Sequence, residues 1–283
     1  MKKFYERKIE DLERALEDNP NDANLHKELG NVFYRTEALY LALEAYKTSL
    51  HIQPDFFEAQ YNLGNVYFKL RKPWRAIIAW MEALILNPKL ENARFNIGFA
   101  YFNLGEYDDA LLEFKRAAKI NPSVDTYFYQ GMCHFELGNY RQACDDYLRA
   151  LDVDPDNEEV LYNMGNALYE EGEFEEAHGY YTRAKNLNPE DHLCANNIAD
   201  CLLSLGKVEE ASDMIQETLD NNPDFAPAHC TKAEILLKQG RVDEAIEEFH
   251  EVMKLTGAIR KDSQENLLHK YASDMVASLK ENS

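Results

Sequence analysis

Glu91 to Pro122 reads ENARFNIGFAYFNLGEYDDALLEFKRAAKINP, and the same pattern returns at a nearly fixed interval in both directions along the chain. Its small residues stand at Gly98, Gly105, Ala110 and Ala117, its aromatics at Tyr101, Tyr107 and Phe114, and Pro122 closes it. The first glycine recurs as Gly30, Gly64, Gly98, Gly131 and Gly165, then as Ala199 and Ala233, in steps of 34 residues with one of 33. Pro20, Pro54, Pro88, Pro122, Pro155, Pro189 and Pro223 keep the same step. This period predicts an all-α array of helix-turn-helix units in which each unit buries its apolar face against its neighbours.

Working outward, the pattern divides the chain into seven units at 23–56, 57–90, 91–123, 124–157, 158–191, 192–225 and 226–259. Gly105, Gly138, Gly172, Gly206 and Gly240 suit the left-handed conformation that ends a first helix. Acidic pairs such as Asp108-Asp109 and Glu175-Glu176 then open the second, where they favour the positive end of the helix dipole. Ala42, Ala76, Ala110, Ala143, Ala177, Ala211 and Ala245 fall where the two helices of a unit cross, and a larger side chain would push them apart. Pro73 fits only at the start of its helix. Residues 1–22 carry Leu12, Ala15 and Pro20, matching the end of a unit, and are expected to cap the array as a half-repeat. Residues 260–283 carry an apolar stripe of Leu267, Leu268, Tyr271, Met275 and Leu279, expected on a final helix that caps the last unit or offers an amphipathic face to a partner.

The chain has 283 residues and a formal charge of −21, from 51 acidic and 30 basic side chains. Such a surface argues against nucleic acid or an anionic membrane as partner, since both require a basic face. No run of apolar residues is long enough to span a bilayer, and the amino terminus lacks the apolar stretch of a secretory signal. Five cysteines without a CxxC pair fit reduced thiols, so a cytoplasmic location is expected. Phosphate loops, nucleophile elbows and HExxH signatures are absent, and the eight histidines are scattered. Cys194, Cys201 and His192 are the nearest approach to a metal set, but two residues seven apart on a helix are separated by about 10 Å. No catalytic role, cofactor or metal is expected.

With small residues late in the first helix, Gly-x-aromatic at the turn, paired alanines in the second helix and a closing proline, the chain resembles the tetratricopeptide repeat (TPR) proteins. The pattern is met closely over 57–190 and more loosely outside, with Ser49, Ala199, Ala233 and Gly257 as departures. The resemblance implies a right-handed α-α superhelix whose first helices line a concave groove. At its groove positions stand Asn62, Asn96, Asn163 and Asn197, then Asn31, Asn65 and Asn166, with Gln130 in the fourth unit. These amides hold the main chain of an extended peptide or bridge neighbouring units. Tyr61, Phe68, Phe95, Phe102, Phe128, Tyr129, Phe135, Tyr162 and Tyr169 add rings. Phe99 and Met132 replace asparagine, so that with Phe95, Phe102, Phe128 and Phe135 they make an apolar patch for a partner, a second copy or the terminal helix. Lys27, Arg35, Lys69 and Arg94 lie early, whereas Asp125, Glu136, Glu159, Glu170, Asp200 and Glu234 lie late.

A carboxylate clamp of the family's chaperone-binding kind is matched at Lys27, Asn31 and Asn62. Asn92 and Asn96 stand where its Lys and Arg belong, and losing both cations sharply weakens such a site. The expectation is a non-enzymatic scaffold or chaperone-like adaptor that takes a protein or peptide segment in its groove. The rivals are a self-assembling structural protein and the regulatory subunit of a separate enzyme.

Overall fold

The computed structural model describes residues 2–257 and 264–281. Residue 1, residues 258–263, where the last unit was expected to meet the terminal helix, and residues 282–283 lie outside the described residues. Among the described residues the chain forms sixteen α-helices and no strand. They are α1 (Lys2–Asp18), α2 (Ala23–Arg35), α3 (Leu39–Ile52), α4 (Phe57–Lys69), α5 (Pro73–Leu86), α6 (Glu91–Asn103), α7 (Tyr107–Ile120) and α8 (Val124–Glu136) in a first compact unit, Met1–Asn139. The second unit, Tyr140–Ser283, holds α9 (Tyr140–Val153), α10 (Glu158–Glu171), α11 (Phe174–Leu187), α12 (His192–Ser204), α13 (Val208–Asn221), α14 (Ala226–Lys238), α15 (Val242–Thr256) and α16 (Gln264–Glu281).

Each hairpin follows from its sequence. Asp22 caps α2 by accepting from the main-chain N–H groups of Asn24 and Leu25 at 2.8 and 3.1 Å. Ser123 and Thr126 form a reciprocal capping box on α8. Pro73 sits in the first turn of α5, where its missing N–H leaves no helical bond unmade. At the turns, Gly105, Gly138, Gly172, Gly206 and Gly240 take positive φ. The residue after each turn donates back into the preceding helix, as from Glu106 N to Tyr101 O at 3.0 Å.

The first two hairpins make the same turn without glycine. Glu37 and Arg71 adopt φ of 60° and 57°, and Lys72 N still donates to Tyr67 O at 3.0 Å. A side chain in this region carries a steric cost, so Arg71→Gly is expected to stabilise the first unit by about 1 kcal/mol. A urea midpoint that fails to rise would contradict this.

Packing explains the repeated small residues. Ala42, Ala76, Ala110, Ala143, Ala177, Ala211 and Ala245 have no exposed surface. A Cβ on Gly64 would stand 2.5 Å from the Trp80 indole, and one on Gly165 would stand 2.6 Å from the Tyr181 ring, so each glycine makes room for a ring of the partner helix. Ser49, where the pattern calls for alanine, is buried because its hydroxyl donates to Ala23 O at 2.7 Å. In α16 the apolar stripe is shifted from its sequence reading. Ala272 and Val276 are buried against α14 and α15, with Leu268, Met275 and Leu279 packed beside them. Leu267 and Tyr271 are exposed, the latter donating from its hydroxyl to Glu234 at 2.9 Å. The helix presents i, i+4, i+8 residues to the core, and the two aromatic or aliphatic side chains at 267 and 271 fall one position off that face.

Candidate functional site

In the first unit, α2, α4, α6 and α8 contribute to a run of recesses on one side. A cavity of about 440 Å³ is lined by Tyr34, Asn65, Phe68, Lys69, Trp80, Phe95, Asn96, Phe99, Asp125 and Tyr129. A second, of about 380 Å³, is lined by Asn31, Tyr34, Arg35, Tyr46, Asn62 and Asn65. Tyr34 and Asn65 border both, so the two recesses adjoin.

Rings form much of the larger cavity's lining. Phe99 lies 5.8 Å from Phe68 and 5.4 Å from Tyr129, centroid to centroid, and Phe95 lies 5.6 Å from Tyr129. Phe102 also meets Tyr129, at 5.8 Å edge to face, beside the cavity. Lys69 carries the positive end. Its ammonium binds Glu37 at 2.6 Å and lies 4.5 Å from the Tyr34 ring centroid, and the Glu37 bond holds its pKa above the usual lysine range. Asp125, exposed on α8, brings the opposite charge.

The amides are wired to one another and to rings. Asn31 Oδ1 accepts from the Tyr46 hydroxyl at 2.8 Å and from Asn62 Nδ2 at 2.9 Å. Asn65 Oδ1 accepts from Trp80 Nε1 at 3.0 Å and from Asn96 Nδ2 at 3.2 Å, and Asn96 also donates to the Tyr61 hydroxyl at 3.1 Å. The second unit repeats the motif, with Asn166 Oδ1 accepting from Tyr181 at 2.7 Å and Asn197 at 3.5 Å, while Asn197 donates to Tyr162. Each of these asparagine oxygens thus uses both lone pairs internally. The bridging role of the amides is therefore present in the fold. The side-chain oxygens of Asn62 and Asn96 have no partner among the described residues, so the donors of a ligand main chain can reach an acceptor there.

Other sequence-selected residues divide clearly. Phe95, Asn96, Phe99 and Asn65 share the larger cavity, while Asn62 and Asn65 share the smaller. Phe128, expected in an exposed patch, is only 7% exposed, so it belongs to the core. Met132 and Phe135 on α8 are half-buried and outside both cavity linings. Tyr162, Asn163 and Asn166 lie on α10 in the second unit, where Asn163 donates to Glu159 O at 2.8 Å within its own helix. Arg94 is turned away from the recesses onto α7, 3.4 Å from Glu113. Tyr34 and Trp80 were not singled out from sequence. The available signal for Trp80 was its register: it stands fifteen residues after Asn65, as Tyr46 does after Asn31 and Tyr181 after Asn166.

All five cysteines are buried, and none of them is in a disulfide. Burial pushes the thiols of Cys201 and Cys230 up to about 12 and that of Cys144 to about 11, which keeps them protonated and poorly nucleophilic. No helix among the described residues is long and apolar enough to cross a membrane.

Comparison with known proteins agrees with this architecture. A family model described as TPR repeat matches residues 39–70 and 131–172, and models described as tetratricopeptide repeat match 92–123, 158–191 and 202–256. A tetratricopeptide repeat protein from Parabacteroides merdae is similar over 89% of this chain and 99% of its own, with a TM-score of 0.65 and 20% identity. YrrB, described as a TPR protein with an unusual peptide-binding site, is similar over 66% of this chain and 96% of its own, with a TM-score of 0.59 and 20% identity. MamA is similar over 60% and 94%, with a TM-score of 0.57 and 22% identity. No curated protein sequence matches. With helical hairpins carrying the repeat residues and family models matching along both units, the chain is a tetratricopeptide repeat protein.

Proposed function

We propose that this protein is a non-catalytic interaction scaffold or adaptor that holds an extended peptide segment of a partner protein in the recesses of its first unit. The carrying observation is the aromatic-lined cavity bordered by Lys69 and Asp125, which adjoins a second recess through Tyr34 and Asn65. A bulky apolar side chain fits against Phe99 and Tyr129, with an acidic residue towards Lys69 and a basic one towards Asp125. The side-chain oxygens of Asn62 and Asn96 accept from the ligand main chain, which adds hold without reading sequence. YrrB's peptide-binding site on a similar fold supports this reading, and the buried, protonated thiols suit a reducing, cytoplasmic setting. In this reading the array has seven repeats between residues 23 and 259.

The test is selection from a random peptide library with the full chain, followed by titration of the recovered peptide against wild type and Phe99→Glu. Placing a carboxylate where the ligand's apolar side chain is buried is expected to weaken binding about 10–100-fold at unchanged helix content. Lys69→Glu is expected to reverse the charge preference at the adjoining ligand position. Undiminished binding by folded Phe99→Glu would remove the recess from the mechanism.

A further inference from the structure

The second helices of the hairpins can be compared position by position, because the repeat sets them in register. In α5 the outward positions are Trp74, Ile78, Met81 and Ile85, exposed by 53, 57, 40 and 79%. The matching sets are Tyr40, Glu44, Lys47 and His51 in α3, then Asp108, Leu112, Lys115 and Lys119 in α7. Those in α9, α11, α13 and α15 are also mainly polar: Asp145 and Asp152, Glu175 and Asn186, Asp213 and Gln216, Glu247 and Lys254. Only α5 among the described helices carries four apolar side chains there. Trp74 meets the Tyr101 ring edge to face at 6.1 Å, but the core is filled from the opposite face of α5, by Ala76, Ile77, Ala79, Trp80 and Ala83.

The spacing of the stripe, four, three and four, is that of a helix that seats against another helix along one seam. Its flank carries a charge pattern that selects the partner. Arg75 lies 5.9 Å from the Tyr67 ring centroid and Glu82 accepts a hydrogen bond from Gln60, so both exposed side chains lean to the α4 side of the stripe. Two α5 helices packed antiparallel about a two-fold axis at the centre of the stripe set Trp74 against Ile85, Ile78 against Met81, and Arg75 against Glu82, each pair twice. Parallel packing instead lays this charged flank beside the partner's other flank, where Ile77 and Leu84 stand, so Arg75 and Glu82 meet no opposite charge. Shape and charge are self-complementary in one orientation, the property an isologous interface requires.

We infer that the outer face of α5 is a homodimer interface, occupied by α5 of a second copy running antiparallel. The inference stands apart from the peptide recess, which is lined by other faces of the first unit, and either can fail without the other.

Sedimentation velocity of the full chain from micromolar to hundred-micromolar concentration tests it. Copies of formal charge −21 repel one another, so the measurement belongs at about 0.15 M salt, where the screening length is about 8 Å. Wild type is expected to sediment as a dimer and Ile78→Glu as a folded monomer, since residue 78 is solvent-facing in the single copy. Arg75→Glu is expected to weaken the dimer about tenfold by turning two attractive pairs into repulsive ones. Adding Glu82→Arg to it restores opposite charges and is expected to restore the dimer. The inference is overturned by a wild type that stays monomeric, by a dimer that survives Ile78→Glu, or by a double charge swap no tighter than Arg75→Glu. A monomer that instead floats with zwitterionic lipid vesicles through Ile78 would assign the face to a membrane surface.

Discussion

Trp80→Ala is expected to lower the stability of the first unit by about 3–5 kcal/mol, the range for emptying a fully packed aromatic site. Trp80 is only 2% exposed and fills the space left by Gly64, so no neighbouring backbone is free to collapse into the vacancy. The loss is polar as well as apolar. Without the indole N–H, Asn65 Oδ1 keeps only the donor from Asn96. Trp80→Phe separates the two parts, because it retains most of the ring while removing the donor, and it is expected to cost about 1–3 kcal/mol. Urea unfolding followed by circular dichroism measures both. A cost below about 1 kcal/mol for Trp80→Ala would show that the site repacks, contrary to the close approach of Gly64.

Asp200→Asn is expected to stabilise the second unit at neutral pH by about 2–4 kcal/mol and to remove a pH dependence. Burial pushes the Asp200 carboxyl from 3.8 up to about 7, and the charge of Glu234 pushes the same way, against the hydrogen bond from Thr231. Thr231 Oγ1 donates to Asp200 at 2.9 Å and Asn196 Nδ2 donates at 3.0 Å, so two donors partly offset the desolvation. The sign follows from proton uptake. The folded chain binds this proton more tightly than the unfolded chain, so the group favours folding most below about pH 4. That advantage is lost as pH rises from about 4 to about 7, and the curve is flat above. Asparagine stays neutral throughout, and a turn of the Asn196 amide gives it both partners. Urea midpoints of wild type and variant should meet in acid and diverge towards neutrality. Parallel curves over that range would refute the assignment.

How much of this is legible in the sequence depends on distance along the chain. The helices, their stops and the alanine crossings follow from local chemistry at spacings the repeat displays directly, and the left-handed turns at Gly105 and Gly172 are of that kind. Glu37 and Arg71 were not legible as left-handed, since neither residue type announces that conformation. The turn is imposed by the helices on either side. The site was legible as a set of positions but not as a network. Asn65 reads as a polar groove residue until Trp80 and Asn96 are seen to occupy its oxygen from two different helices. Phe128 and Phe99 both stand at groove positions by register, yet one is in the core and the other lines a cavity. Register gives the direction of a side chain, whereas burial depends on what the neighbouring helices place beside it.

The placement of tryptophan has an optical consequence. The chain has two, Trp74 and Trp80, and both belong to α5, one solvent-facing and the other in the core. Tryptophan emission therefore comes from the first unit alone, whereas circular dichroism sums over both. Emission and dichroism that change together mark a single transition, and emission that holds steady while dichroism falls marks the second unit unfolding by itself. Within the emission, the two residues divide again. A dissolved quencher reaches Trp74, 53% exposed on the outer stripe, far more readily than Trp80, which is only 2% exposed beside the aromatic cavity. Quenching thus reports what covers the outside of α5, and the emission wavelength of the protected residue reports what enters the recess, without any label attached to the protein.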